Sequence, residues 1–75
     1  MPTHETRQLR VTGQVQGVGF RPFVFRLARQ YGVHGLVTNR SSHVEILLQG
    51  ETRQLDKVAE DIHRDAPGRI DTINS

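Results

Sequence analysis

The sequence predicts one α+β domain in which strands and helices follow in the order βαββαβ. Apolar and polar residues alternate in four short segments, and apolar residues recur with helical spacing in two longer ones. The chain has 75 residues and no cysteine, so one small core must hold it together by packing alone. A sheet covered by helices on one face, a two-layer sandwich, satisfies that requirement.

The first predicted strand leads into a glycine-rich segment. Residues 1–6 are polar and are predicted to form a disordered tail, so the domain is expected to span residues 7–75. From Leu9 onward, apolar residues alternate with polar ones, which predicts a half-buried strand. Gly17 and Gly19 end that alternation and predict a tight turn.

Both helices are predicted from an apolar stripe. Residues 20–31 carry apolar side chains at helical spacing, with Pro22 in the first turn and Gly32 directly after the last. Residues 55–66 show the same spacing, and Pro67 follows them. Each helix therefore has one face suited to covering a sheet.

The remaining strands complete a ferredoxin-like arrangement. Residues 36–39 and 44–48 predict a hairpin that Gly50 ends, and residues 69–74 predict a last short strand. Two right-handed crossovers then place both helices on one face of an antiparallel sheet. Because many unrelated functions use this fold, the function has to be argued from the site.

Charge and composition narrow the classes of function. The net charge is +2, and nine of the ten basic residues are Arg, which suits an anionic ligand without demanding nucleic acid. No apolar stretch approaches the roughly 20 residues that span a bilayer, and no signal peptide is recognisable. We therefore expect a cytoplasmic domain with no membrane partner. The four His residues lack metal-ligand spacing, and we expect neither a metal nor a cofactor.

The glycine-rich segment is the candidate ligand site. A strand that turns at Gly17 and Gly19 into a helix presents backbone N–H groups that can bind an oxyanion. Arg21 lies at the start of that helix, where the helix dipole disfavours a cation unless an anion lies between them. On these residues alone, an anion site and a simple tight turn with a solvated Arg21 both stay open.

Two sequence motifs resemble those of the acylphosphatase family. The segment GQVQGVGFR, residues 13–21, matches the signature G-x-V-Q-G-V-x-F-R at every fixed position. The segment that begins GLVTN at residue 35 is similar to a second family signature, with His43 where that signature usually has Gly. More narrowly, VQGVGFRPFV and the later APGRID resemble the N-terminal acylphosphatase domain of the hydrogenase maturation carbamoyltransferases (HypF).

The resemblance implies a βαββαβ fold and hydrolysis of acyl phosphates, with carbamoyl phosphate as the physiological substrate and phosphate as product or inhibitor. It implies that Arg21 clamps the phosphate and that Asn39 orients the attacking water. The family's phosphate cradle would consist of the backbone N–H groups of Gln16, Gly17, Val18, Gly19 and Phe20. No cofactor is implied, and the remaining domains of a longer parent protein would be its partners.

Two other functions stay open. His43 in the usual Gly position predicts a longer or looser hairpin, which could shift Asn39 and leave a module that binds phosphate without turnover. An RNA-binding domain of the same fold would need exposed aromatic side chains on its central strands. The segment Val44–Leu48 has none, so nucleic acid is not expected as a partner.

Overall fold

The fold has the predicted element order. The computed structural model describes residues 4–15, 17 and 19–74. The elements are β1 (His4–Gln14), α1 (Phe20–Tyr31), β2 (His34–Asn39), β3 (Val44–Glu51), α2 (Thr52–Asp65) and β4 (Arg69–Asn74). This confirms the predicted α+β class and the βαββαβ order.

The four strands form one antiparallel sheet in the order β2-β3-β1-β4. In the registers of the sheet, Val44 of β3 pairs with Val11 of β1 on one side and with Asn39 of β2 on the other. The end of β1, the start of β3 and the end of β2 therefore meet at one end of the sheet. The pairing of β1 with β4 shifts between Thr12 and Gly13.

The hydrophobic core lies between one face of the sheet and the two helices. Alternate strand residues are buried on that face: Leu9, Val11, Val37, Val44, Ile46 and Leu48. The helices contribute their apolar stripes: Phe20, Val24, Leu27, Ala28, Leu55, Val58 and Ile62. The opposite face carries the exposed side chains of Leu36 and Leu47. Both helices thus cover the same face, as predicted.

The helix ends follow local chemistry. Gly32 has φ 69°, and its backbone caps α1 by bonding to the carbonyls of Ala28 and Arg29. At the end of α2, Ala66 donates its N–H to Ile62 at 3.2 Å, and Pro67 cannot continue the helix. Among the described residues, no helix is long and apolar enough to cross a membrane.

The first strand begins earlier than predicted. Residues 4–6, expected in a disordered tail, pair with β3, where His4 lies opposite Glu51. Because backbone pairing does not need apolar side chains, the polarity of these residues does not imply disorder. Arg7 supports the segment by binding Asp56 of α2 at 2.7 Å and Glu5 at 2.6 Å. Residues 1–3 lie outside the described part of the chain.

Gly50 does not end β3, contrary to prediction, because the strand runs on to Glu51. A side chain at Gly50 would lie 2.8 Å from Cγ1 of Val33, which is buried in the core. The glycine therefore serves the close packing of Val33 against the strand and does not interrupt the pairing.

Leu55 tests the core. Its side chain is fully buried at 0% exposure, whereas Leu36 is 55% exposed. We expect Leu55→Ala to lower the free energy of unfolding by about 2–5 kcal/mol, through lost transfer energy and a cavity. The same change at Leu36 should cost less than about 1 kcal/mol. Urea denaturation of both variants measures the difference, and equal losses would contradict the described core.

Candidate functional site

The glycine turn is anchored at both ends by buried apolar side chains. Val15 and Phe20 are 2% and 3% exposed. Between them, Gly17 and Gly19 are exposed and have φ of 75° and 85°, the left-handed region that glycine enters without steric cost. Of the five residues predicted to form a phosphate cradle, Gln16 and Val18 lie outside the described residues.

The start of α1 has no internal counter-charge. Its N-cap is Gly19, which makes no side-chain capping bond, and the first turn contains no acidic residue. The first N–H bonded within the helix is that of Phe23, which donates to the Gly19 carbonyl at 3.2 Å. The N–H groups of Phe20 and Arg21 precede it and are among the donors a helix leaves unpaired. Negative charge is favoured at such a position.

Arg21 lies within this first turn. Its side chain is exposed, and within residues 4–15, 17 and 19–74 it forms no salt bridge. A guanidinium without a carboxylate partner keeps its planar pair of donors free for an oxyanion. Arg21 and the helix N-terminus therefore present cationic and dipolar groups at the same place.

Asn39 is the last residue of β2 and is exposed. Through its pairing with Val44, and that of Val44 with Val11, it lies at the sheet end where β1 leaves for the glycine turn. Because only residues 15–19 separate the end of β1 from the start of α1, Arg21 lies at the same end of the domain. The fold thus brings the glycine turn, Arg21 and Asn39 to one end of the sheet.

The β2–β3 hairpin is closed tightly. The N–H of Arg40 donates to the carbonyl of His43 at 2.8 Å. Among the described residues, only glycines have positive φ, so His43 adopts an ordinary backbone conformation. The looser hairpin predicted from His43 is therefore wrong, because a turn with φ below zero accommodates its Cβ.

Sequence reasoning missed a side-chain cluster on this hairpin. The His43 side chain is 16% exposed, with Nε2 3.3 Å from Glu45 Oε1 and Nδ1 3.3 Å from Ser42 Oγ. Arg40 binds the other carboxylate oxygen of Glu45 at 3.4 Å. The bond from His43 lowers the pKa of Glu45, the Arg40 charge lowers it further, and partial burial opposes both. The i, i+2 spacing of His43 and Glu45 at a strand start was the available signal.

The described residues contain no group of three or more His, Cys, Asp or Glu side chains that could hold a metal ion. The candidate site is built instead from backbone donors, one guanidinium and one side-chain amide. That set can neutralise an oxyanion and hold a water by hydrogen bonds.

Comparison with known proteins points to one family. The acylphosphatase family model matches residues 7–75. Carbamoyltransferase HypF2 of Cupriavidus necator is 50% identical over 68 residues, which cover 88% of this chain and 8% of that protein. The chain thus spans less than a tenth of this relative's length.

Solved structures agree in fold. A full-length HypF in the phosphate- and nucleotide-bound form superposes with a TM-score of 0.92 at 39% identity, over 99% of this chain and 10% of that one. An acylphosphatase from Bacillus subtilis superposes with a TM-score of 0.85 at 34% identity, over 96% of this chain and 81% of that one.

Alanine substitutions at Gly13 and Gly17 test why the glycine-rich segment needs glycine at each position. Gly13 has φ 129°, and an added Cβ would collide with the backbone carbonyl of Arg69 on β4. Gly17 has φ 75° and open space around its Cα. We expect Gly17→Ala to cost about 1 kcal/mol of unfolding free energy from backbone strain alone. Gly13→Ala should cost about 2–4 kcal/mol, since steric displacement of β4 adds to the strain. Equal losses in urea denaturation would contradict the close approach of β4.

The lowered pKa of Glu45 predicts that the protein loses stability at acidic pH. Its pKa is lower in the folded protein than its ordinary value. Between the two values the unfolded chain binds a proton that the folded chain does not, so stability rises with pH. This contribution is present above the ordinary pKa and is lost as the pH falls through the folded pKa. Urea denaturation at a series of acidic pH values measures how the free energy of unfolding changes with pH. That change should be smaller in Glu45→Gln than in the parent protein. Glu60→Gln, at an exposed carboxylate of α2, is the control and should keep the parent slope.

Proposed function

Because the chain belongs to the acylphosphatase family, we propose that it hydrolyses acyl phosphates to a carboxylate and inorganic phosphate. One observation carries the proposal: Arg21 and an uncapped helix N-terminus lie at the same sheet end as Asn39. The first two groups suit a phosphoryl group, and the third suits the water that attacks it. The family model covers the segments that carry all of them.

The phosphoryl group would be held mainly by backbone. In this proposal the N–H groups of Gln16, Gly17, Val18, Gly19 and Phe20 form the cradle. The left-handed glycines at 17 and 19 support it, because they allow a ligand to approach the backbone closely. The buried Phe20 side chain fixes the point where the turn enters α1. Arg21 would pair bidentately with the phosphoryl oxygens, whose charge grows in the transition state.

The chemistry needs little from the protein beyond charge and position. A water oriented by the Asn39 amide forms a bond from its oxygen to phosphorus while the bond to the acyl oxygen breaks. The acyl group leaves as a carboxylate, a stable anion that needs no general acid. The proton of the water passes to a phosphoryl oxygen, so the products are a carboxylate and dihydrogen or hydrogen phosphate. An amide both donates and accepts hydrogen bonds, which suits Asn39 to holding a water.

A finer proposal concerns the substrate and the setting. Relatives named carbamoyltransferase support carbamoyl phosphate as the physiological acyl phosphate, with carbamate and phosphate as products. We further propose, from the resemblance of the sequence motifs, a role in hydrogenase maturation in the cytoplasm, together with the remaining domains of a longer carbamoyltransferase. Full-length HypF was solved in a phosphate-bound form, which is consistent with a phosphate ligand for such proteins.

Two alternatives carry less support. The three Phe and one Tyr of the chain all lie in α1, so the described sheet has no aromatic residue on which RNA bases could stack. A phosphate-binding module without turnover was expected to follow from a displaced Asn39. Asn39 instead pairs in register with Val44, and His43 does not strain the hairpin. Hydrolysis is therefore the function that the geometry supports best.

Arg21→Ala and Asn39→Ala test the proposal. The parent chain should hydrolyse benzoyl phosphate and carbamoyl phosphate. Arg21→Ala should lower kcat/KM by about 100-fold or more and weaken inhibition by phosphate, because it removes charge that binds both ground and transition states. Asn39→Ala should lower kcat by about 100-fold and leave the phosphate inhibition constant within about twofold.

Arg26→Ala and Asn74→Ala are matched controls. Both side chains are exposed, and they lie outside the proposed site, on α1 and β4. They should keep parent activity. Phosphate binding without hydrolysis by the parent would favour the binding module, and tight salt-sensitive RNA binding indifferent to phosphate would exclude both.

A further inference from the structure

A groove of about 450 Å³ lies between the end of β1 and the β2–β3 hairpin. Gln14 and Val15 line it from the β1 side, and Ser41, Ser42 and His43 line it from the hairpin. Val15 directly precedes the glycine turn, so the groove opens beside the proposed phosphate cradle. The groove is therefore placed to receive whatever group the bound phosphate carries.

The hydrogen bonds of His43 orient the Ser42 hydroxyl. Glu45 is acceptor-only when ionised, so the nearby Nε2 of His43 carries the proton and donates to it. In a neutral imidazole with a proton on Nε2, Nδ1 is an acceptor. The Ser42 hydroxyl, 3.3 Å from Nδ1, donates to a neutral ring or accepts from a doubly protonated one. In both cases its oxygen keeps a lone pair that can accept a hydrogen bond from a group in the groove.

We propose that Ser42 recognises the N–H₂ group of a carbamoyl substrate, with its hydroxyl oriented by His43 and Glu45. The inference rests on the proposed hydrolysis of acyl phosphates and concerns which acyl group is preferred. A carbamoyl group carries both N–H donors and a carbonyl acceptor. The Ser42 oxygen accepts from the first, and the Gln14 amide on the opposite wall donates to the second. The acyl group is uncharged, and the two side chains that would bind it, those of Gln14 and Ser42, are neutral as well.

Carbamoyl phosphate and acetyl phosphate test this proposal, because they differ only in the group on the acyl carbon. That group is NH₂ in carbamoyl phosphate and CH₃ in acetyl phosphate. Ser42→Ala should lower kcat/KM for carbamoyl phosphate by about tenfold, the worth of one hydrogen bond. The value for acetyl phosphate should stay within about twofold, because a methyl group has no donor to lose. His43→Leu should also lower the ratio of kcat/KM for carbamoyl phosphate to that for acetyl phosphate, because Ser42 then loses the ring nitrogen that orients it.

Ser41→Ala is the matched control. It removes a neighbouring hydroxyl from the same groove, and Ser42 rather than Ser41 bonds His43. Its ratio of kcat/KM for the two substrates should equal that of the parent. For each variant, an unchanged inhibition constant for inorganic phosphate shows that the fold and the cradle are intact.

Two results would overturn the inference and are distinguishable. The first is an unchanged ratio of kcat/KM for carbamoyl phosphate to that for acetyl phosphate in Ser42→Ala, whether both values fall equally or neither falls. It would reject Ser42 as the residue that selects the acyl group, while the results for Arg21→Ala and Asn39→Ala could still support hydrolysis. A parent chain that hydrolyses neither substrate would reject the proposed function and this inference with it.

Discussion

The pairing of β3 with both of its neighbours is the constraint on which the rest of the structure depends. Its inward side chains Val44, Ile46 and Leu48 are fully buried, and its backbone fixes the registers of β1 and β2. The same registers decide which residues meet at the sheet end. A slip of one residue would turn the core side chains outward and move Asn39 away from the glycine turn. The registers of β3 are therefore needed both for the stability of the core and for the placement of the site.

The candidate site has an electrostatically unfavourable helix start. The start of α1 has no acidic residue and no side-chain cap, and it carries Arg21 instead. These choices disfavour the isolated helix, because unpaired N–H groups and a cation share one end. The buried Val24 and Leu27 hold α1 in place by packing against the sheet. Tertiary burial thus sustains a helix start that only an anion would complete.

Sequence pattern predicted the elements well where burial is periodic. The helix Phe20–Tyr31 has the predicted bounds, since its apolar stripe and its terminal glycine act locally. The pattern failed where contacts are distant in sequence. The strand at residues 4–6 depends on pairing with β3, and the continuation through Gly50 depends on the packing of Val33. The bond from the Tyr31 hydroxyl to Asp61 at 2.6 Å joins the two helices across 30 residues of sequence, and no local pattern indicates it.

For the site, motif resemblance points to Arg21, Asn39 and the glycines, but the prediction that His43 loosens the hairpin is wrong. The φ of His43 is negative, and its ring binds Ser42 and Glu45. The two parts of the site differ in what they require. In the proposed site, phosphate binding by backbone N–H groups would need glycine conformations and would not depend on the side chains of the hairpin. Selection of the acyl group would need side chains, and the hairpin can change these while β3 keeps Asn39 in register. Under this proposal, a substitution such as His43 alters substrate choice without disturbing the groups proposed for hydrolysis.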